Sequence, residues 1–457
     1  MIRATLSRWV SPLHRGAKPF LAAALAALML VTAPRAEAEI AIQEVVSPGG
    51  IKAWLVEEHS IPFTALRLAF RGGASLDAEG KRGAINLMTA LLEEGAADMD
   101  SRAFAAARES LAASMSFDVG DDSLVVSARM LTENRGAAID LLRKALTETR
   151  FDEDAIARVK AQVVAILRSD ATDPQAVAMQ TFAKLAWGDH PYGTDLNGTE
   201  ESLATLTQAD LFEARDRVIA RDRLYVGVVG DISAEELGPM LDTLLGDLPE
   251  IGAPMPPPAT YQLKPGTHVV PFQTPQSVAV FGHPGIDLDD PDYFAAFVLS
   301  EAIGGGNFAS RLMNEVREKR GLTYGISAWL ATGDLGNLLQ GSFSSANPVM
   351  GQALDVVREV WADVAANGLT EAHLEDTKTY LTGAYPLRFD GNQTIAGIIT
   401  GMQLNGFPID YAKTRNEKVE AVTMEDIKRV AARLFQPEAL GIVVVGKPEG
   451  VETTMGE

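Results

Sequence analysis

The 457-residue chain is longer than one ordinary hydrophobic core and calls for two or more domains, and its 47% hydrophobic and 22% charged residues are globular proportions. Its 61 acidic against 40 basic residues give a formal charge of −21, which argues against a nucleic-acid partner, because phosphate binding needs a basic face. Cysteine is absent, which excludes disulfide scaffolds, cysteine zinc sites, iron–sulfur clusters and thiol catalysis, and six histidines leave little histidine chemistry.

The chain opens with a positive segment, Arg3, Arg8, Arg15 and Lys18. An apolar run follows over 20–33, and Ala36-Glu37-Ala38 offers small residues on either side of a cleavage point. This is the format of a secretory signal peptide over 1–38, cleaved after Ala38, with a bacterial periplasm as destination. The apolar run is about 14 residues, short of the roughly 20 that span a bilayer. No later stretch is long and apolar enough, so the mature chain is expected to have no membrane span. Cleavage would remove five basic and one acidic residue and leave the protein still more acidic. That acidity has two readings, steering of basic peptides or plain surface solubility.

Strands are predicted over 51–56 and 64–70, with a turn at Arg71-Gly72-Gly73. Helices are predicted over 83–94 and 101–113, the second with Ser101 as N-cap. Alternation over 116–119 and 123–130 around Gly120-Asp121-Asp122 predicts a hairpin, and long helices follow over 134–148 and 152–169. This order implies α+β architecture, an antiparallel sheet with helices packed on one face. The pattern then recurs. Thr207, Asp210 and Leu211 open a helix before the buried strand at 226–230, and Thr423, Asp426 and Ile427 do the same before 442–446. Phe151, Glu153 and Lys160 match Leu369, Glu371 and Lys378 at a nearly equal spacing, and Asp77 falls opposite Asp289. One domain fold used twice is the simplest account. Residues 254–258 contain a proline run that cannot continue a helix or central strand. The chain therefore divides into 1–38, a domain at 39–253, a linker at 254–258 and a domain at 259–457.

The segment from Gly83 to Ala96, preceded by Phe70-Arg-Gly-Gly-Ala-Ser75, resembles the zinc-site helix of the M16 (pitrilysin, or mitochondrial-processing-peptidase-like) metallopeptidases. The second half continues the resemblance from Gly304 to Tyr324, as do Phe281-Gly-His-Pro-Gly285 and Gly198-Thr-Glu-Glu201. The resemblance implies two homologous M16-type (LuxS/MPP-like) domains, forming half of a clamshell whose other half is a second subunit. Active members carry H-x-x-E-H on this helix, two histidines for zinc and a glutamate for the attacking water. Here those positions are Asn86, Thr89 and Ala90. The region matching the family's third ligand, 158–168, holds no carboxylate. His59, His190, His268, His283 and His373 are scattered, and read as surface or loop residues. No metal site is expected in this chain, and no cofactor other than zinc in the partner.

The resemblance also implies a catalytic contribution from Arg317 and Tyr324, two hydrogen-bond donors suited to a substrate carbonyl or its oxyanion. The plainer readings are a solvated helix-end arginine, with Gly321 as helix stop, and a core-facing strand tyrosine. Gly304, Gly305, Gly306 and Asn307 form a candidate substrate-binding loop, with a simple turn as the equal alternative. The resulting expectation is a non-catalytic subunit paired with a zinc-bearing M16 homologue, acting on unfolded peptide. Two rivals stand beside it: an exported, chaperone-like homodimer that binds peptides without cutting them, and a structural core-type subunit.

Overall fold

The computed structural model describes residues 40–305 and 310–456. The chain divides into two compact units, Met1–Ala41 and Ile42–Glu457, and all that follows concerns the second. The expected signal peptide lies outside the described residues.

The first sheet uses β1 (Gln43–Val46), β2 (Lys52–Glu57), β3 (Phe63–Arg71), β4 (Ser114–Val119), β5 (Ser123–Leu131) and β6 (Leu224–Gly230). Its order is β1-β2-β6-β3-β5-β4. The second uses β7 (Gly266–Pro271), β8 (Gln276–Pro284), β9 (Ile326–Thr332), β10 (Asn337–Ala346) and β11 (Gly441–Gly446), in the order β7-β11-β8-β10-β9. Read from β2 and from β7, the two orders are the same. In each sheet the pairing is antiparallel except where the last strand of the half lies parallel to its first counterpart, β6 on β2 and β11 on β7. The duplication read from short sequence matches is thus a duplication of topology.

Helices of the first half are α1 (Ala84–Ala90), α2 (Ser101–Ser110), α3 (Arg135–Thr147), α4 (Glu153–Asp170), α5 (Pro174–Trp187), α6 (Glu200–Thr205), α7 (Gln208–Val218) and α8 (Ala234–Leu245). Those of the second are α9 (Tyr293–Gly304), α10 (Met350–Asn367), α11 (Glu371–Ala384), α12 (Asn392–Leu404), α13 (Tyr411–Glu420) and α14 (Met424–Leu434). The helix expected over 83–94 stops at Ala90, and the chain then turns toward Gly95, whose φ of 131° few other residues adopt. The N-cap expected at Ser101 is instead Asp100, whose carboxylate accepts from Ala103 N at 2.8 Å. Ser101 Oγ donates to Glu94 at 2.6 Å.

The repeated residues have defined structural jobs. Thr207 with Asp210, and Thr423 with Asp426, are reciprocal capping boxes at the starts of α7 and α14. Leu211 and Ile427 are each 0% exposed one position further on. Lys160 and Lys378 each donate to a backbone carbonyl just before those caps, Leu206 O at 2.6 Å and Glu420 O at 3.0 Å. The Asp77 match is weaker in structure. Asp77 caps α1 through Gly83 N and Ile85 N, both at 2.8 Å, whereas the acids that brace the same region of the second half are Asp290 and Asp292, paired with Arg433 and Arg429.

Period-two alternation splits each sheet between two environments. In the second sheet, Ala279, Phe281, Ile442 and Val444 pack with its own helices, including α9, α10 and α14. Val278, Val280, Val443 and Val445 point the other way, onto Ala178, Phe182 and Ala186 of α5, a first-half helix. The exchange is reciprocal. The first sheet gives Leu66, Leu68, Phe70, Val126 and Val228 to its own helices. Its opposite face carries Ala65, Arg67 and Ala69 of β3 and Tyr225 and Gly227 of β6, and there α12 of the second half lies against both strands. Gln403 Nε2 of α12 donates to Val226 O at 2.8 Å. A Cβ on Gly227 would sit 2.3 Å from Thr400 Oγ1 and 2.7 Å from the Ala396 carbonyl, so only glycine permits this approach. Each half's own helices thus cover one face of its sheet, as expected, and the other face is covered by a helix from the other half.

Residues 251–264 carry no helix or strand and run between the halves. They are fastened to both: Ala253 N donates to Arg217 O at 2.9 Å and Ala259 N to Leu335 O at 2.7 Å.

Gly227→Val should force α12 off the first sheet and destabilise the protein by about 1–3 kcal/mol, the usual cost of overpacking. Urea unfolding measures it, and an unchanged midpoint would contradict the close approach.

Candidate functional site

On α1, the three positions of the lost zinc motif are each occupied in a way that satisfies them without metal. Asn86 Nδ2 donates to Asn197 Oδ1 at 2.8 Å. Thr89 is 3% exposed, and its hydroxyl donates back to Ile85 O at 2.7 Å, the usual resort of a threonine inside a helix. Ala90 is exposed and carries no donor atom. On α4, the helix of the region matching the third ligand, Arg158 grips Glu94 with two nitrogens at 3.0 and 2.7 Å. That pairing holds Glu94 below the usual carboxylate range. Glu94 is therefore neutralised by a fork of donors rather than left for a cation. Among the described residues no group of three or more histidines and acids is placed to hold a metal. An amide, a hydroxyl and a methyl are not a zinc set, and the residues here do not fit the ion.

Beside α1 lies β4, the last strand of the first sheet, paired among the described residues only with β5. Its outer edge offers backbone donors and acceptors to an added strand.

Arg317 falls in a π-helical stretch, Met313–Glu318, which follows the undescribed residues after α9. Such wide turns are rare and often mark functional positions. The stretch closes through Gly321 N to Arg317 O at 2.8 Å and Leu322 N to Val316 O at 3.0 Å. Gly321 has a φ of 63°, the left-handed stop its position suggested. Within the charged run, Glu315 takes Lys319 and Arg320, each at 2.7 Å. Arg317 pairs with Glu318 at 3.2 Å, with its side chain 32% exposed. Exposed pairs of this kind are weakly held and easily exchanged.

Tyr324 is 87% exposed, which removes the core-facing reading. Leu322 and Ile326 on either side are buried, at 6% and 4%. The loop is clamped rather than free: Ser345 Oγ donates to Leu322 O at 2.6 Å, and Thr323 Oγ1 to Ser344 O at 2.7 Å. Ile326 already pairs with Phe343 in the sheet. A large ring is thus presented to solvent from a fixed backbone.

Of the glycine loop, Gly304 and Gly305 are described, whereas Gly306 and Asn307 lie outside the described residues. Gly304 ends α9 against β9, where a Cβ would meet Ala328 N at 2.4 Å. At Gly305 a Cβ would meet Glu301 Oε1 at 2.3 Å. Both glycines therefore have packing reasons, whatever else the loop does.

The histidines separate into different environments. His59 is exposed between Asp231 at 2.8 Å and Glu57 at 3.3 Å, and the bond to Asp231 raises its pKa. His190 braces its loop, accepting from Tyr192 N at 3.2 Å. His283 is neither surface nor loop. It sits on β8 at 2% exposure, accepts from Trp361 Nε1 at 3.0 Å and donates from Nδ1 to Pro284 O at 2.9 Å.

Sequence reading also missed a latch between the halves. Arg71, in the predicted turn, pairs with Asp334 at 2.6 Å and donates to the Leu404 carbonyl. Nearby, Tyr192 donates to Asp122 and accepts from Leu335 N at 3.0 Å.

A two-sheet α+β fold, with the metal motif replaced, is that of an inactive peptidase homologue, and the comparisons agree. Residues 205–381 match the family described as peptidase M16 inactive domain. The chain is similar to a non-peptidase homolog, YmxG, of Helicobacter pylori, at 26% identity over 374 residues, 81% of this chain and 86% of that protein. It is also similar to an uncharacterized zinc protease, YmxG, of Bacillus subtilis, 25% identical over 328 residues, 69% of this chain and 77% of that one. A crystal structure of a peptidase M16 inactive domain from Pseudomonas fluorescens superposes with a TM-score of 0.83 at 28% identity, covering 91% of this chain and 100% of that one. Residues 205–381 thus carry the likeness to the peptidase M16 inactive domain, and the described chain shares the fold of the solved M16 inactive-domain protein.

His283 should titrate below the ordinary 6.5, because burial disfavours its charged form. Its contribution to stability is then complete above the unfolded value and lost as pH falls through the lowered folded one. A histidine side-chain NMR titration checks this, and a midpoint at or above 6.5 would contradict it.

Proposed function

We propose that this chain is the non-catalytic subunit of an exported, heterodimeric M16 zinc peptidase. The observation that carries the reading is Tyr324, 87% exposed on a clamped loop, a few residues after the wide turn that bears Arg317. An exposed ring on rigid backbone is costly to leave in water and favourable to bury against a partner or a peptide. Arg317, always charged and partly exposed, is the complementary donor for a carbonyl oxygen or its oxyanion. The zinc-bearing homologue would supply the histidines, the third carboxylate, the metal and its water. This chain would supply Arg317, Tyr324 and half of the chamber, with Gly304 to Asn307 near the bound peptide. The open edge of β4, beside the metal-free α1, suits an unfolded peptide bound as an added strand. The signal-peptide format of 1–38 supports a periplasmic location.

Co-expression with a zinc-bearing M16 homologue from the same genome tests the reading. The pair should cleave unfolded peptides in a metal-dependent manner, and this chain alone should not. In the pair, Arg317→Ala should lower kcat about a hundredfold or more, the usual cost of an oxyanion donor. Tyr324→Phe should act in the same direction, with thermal stability unchanged because both side chains are at least partly exposed. Metal-dependent hydrolysis by the lone chain, or a pair indifferent to both substitutions, would refute it.

A further inference from the structure

The second half contains a cavity of about 280 Å³ bounded by α9, α12 and α13. Six rings line it: Tyr293, Phe294 and Phe297 at the start of α9, Tyr385 after α11, and Phe407 and Tyr411 before and at the start of α13. Phe407 and Tyr411 stack face to face, 4.0 Å between ring centres and 3° from parallel. On α12, Gly397 and Gly401 leave the third wall low, and nothing lies within 4 Å of a Cβ built on Gly401.

Among the described residues two cations line this apolar space, Arg415 and Arg388, and no carboxylate does. Arg415 is 5% exposed. Its Nη1 donates to the Leu381 carbonyl at 2.9 Å and to Asn416 Oδ1 at 3.1 Å. Its guanidinium carbon lies 4.5 Å from the Tyr385 ring centre and 5.3 Å from that of Phe297. Neutral acceptors and ring faces orient a buried charge but leave it uncompensated. Lys418 adds a third cation on the outer faces of Phe294 and Tyr411, at 5.5 and 5.3 Å. Glu301 of α9 is the carboxylate that senses Arg415, but it does not line the cavity, and burial holds it toward its protonated form. A positive, aromatic cavity in a chain of formal charge −21 runs against the surrounding composition.

We propose that this cavity binds an apolar carboxylate, its hydrocarbon between the rings and its acid group on Arg415 and Arg388. The volume corresponds to about nine water molecules at the density of the liquid, room for a phenyl ring on a short acid chain. Such chemistry has two sources, a free small aryl or alkyl acid, or the C-terminus of a peptide ending in an apolar residue. A planar, bidentate donor pair suits a carboxylate from either.

Calorimetric titration of the purified chain with 3-phenylpropionate, its neutral amide, and a tripeptide ending in phenylalanine as free acid and as amide tests the site. The acid should bind saturably, and the amide about ten- to a hundredfold more weakly, the usual worth of a charge-assisted hydrogen bond. Binding of the free-acid peptide in competition with phenylpropionate identifies the peptide source; binding of phenylpropionate alone identifies the small acid. Arg415 is too buried for a clean substitution, so the variants are Arg388→Gln, on the exposed rim, and Gly401→Leu, which fills the cavity from an open helix position. Both should keep the wild-type melting temperature within a few degrees and weaken acid binding about tenfold or more. Equal affinity for acid and amide, no saturable binding at millimolar concentration, or wild-type titrations by both variants would overturn the proposal. None of these readouts depends on Arg317, Tyr324 or a peptidase partner.

Discussion

Each sheet depends on a helix that the other half supplies. A β-sheet in a two-layer domain must bury both faces or leave one in water. Here α5 covers Val278, Val280, Val443 and Val445, while α12 comes close enough to the first sheet that Gly227 can carry no side chain. Each half therefore relies on the other to cover the second face of its sheet. The Arg71 latch to Asp334 and the Leu404 carbonyl ties the same boundary with charge-assisted bonds. Because α12 also forms a wall of the aromatic cavity, the element that joins the halves is the one that shapes it.

The polar residues of α1 are satisfied by neighbours and need no metal. Thr89 bonds its own helix, Asn86 bonds Asn197, and Asp77 caps the helix start. A buried polar group left unpaired would have been costly, and none is left here at those positions. The second half shows the opposite economy. Tyr324 is held out in water by bonds at Leu322 and Thr323, although the neighbouring residues of the same segment are buried.

Much of this was legible beforehand because it rests on local rules. The Thr-x-x-Asp matches at Thr207 and Thr423 are capping boxes, whose geometry depends on four consecutive residues. The strands at 51–56 and 64–70 fall within a residue of those observed, because alternation reports burial directly. Replacement of the zinc ligands at Asn86, Thr89 and Ala90 could be read from residue types alone. What escaped notice was non-local. Nothing in the spacing of α5 or α12 says which sheet each will cover, since an apolar helix face fits any complementary surface. His283 looked like the other histidines because its burial comes from Trp361, 78 positions away. Arg415 lies in a polar stretch of low amphipathic contrast, and only the convergence of α9, α12 and α13 buries it among rings.

The amino-acid sequence by itself carried the likeness to M16 proteins, the repeated α+β unit and the replacement of the zinc-motif residues by Asn86, Thr89 and Ala90, because each follows from residue identity and short-range periodicity. Tertiary structure alone decided the exchange of helices, the exposure of Tyr324 against the burial of Leu322 and Ile326, and the collection of two arginines and six rings around one cavity. Those outcomes depend on which surfaces meet in the folded chain, and contact between separate elements leaves no mark on the spacing within either.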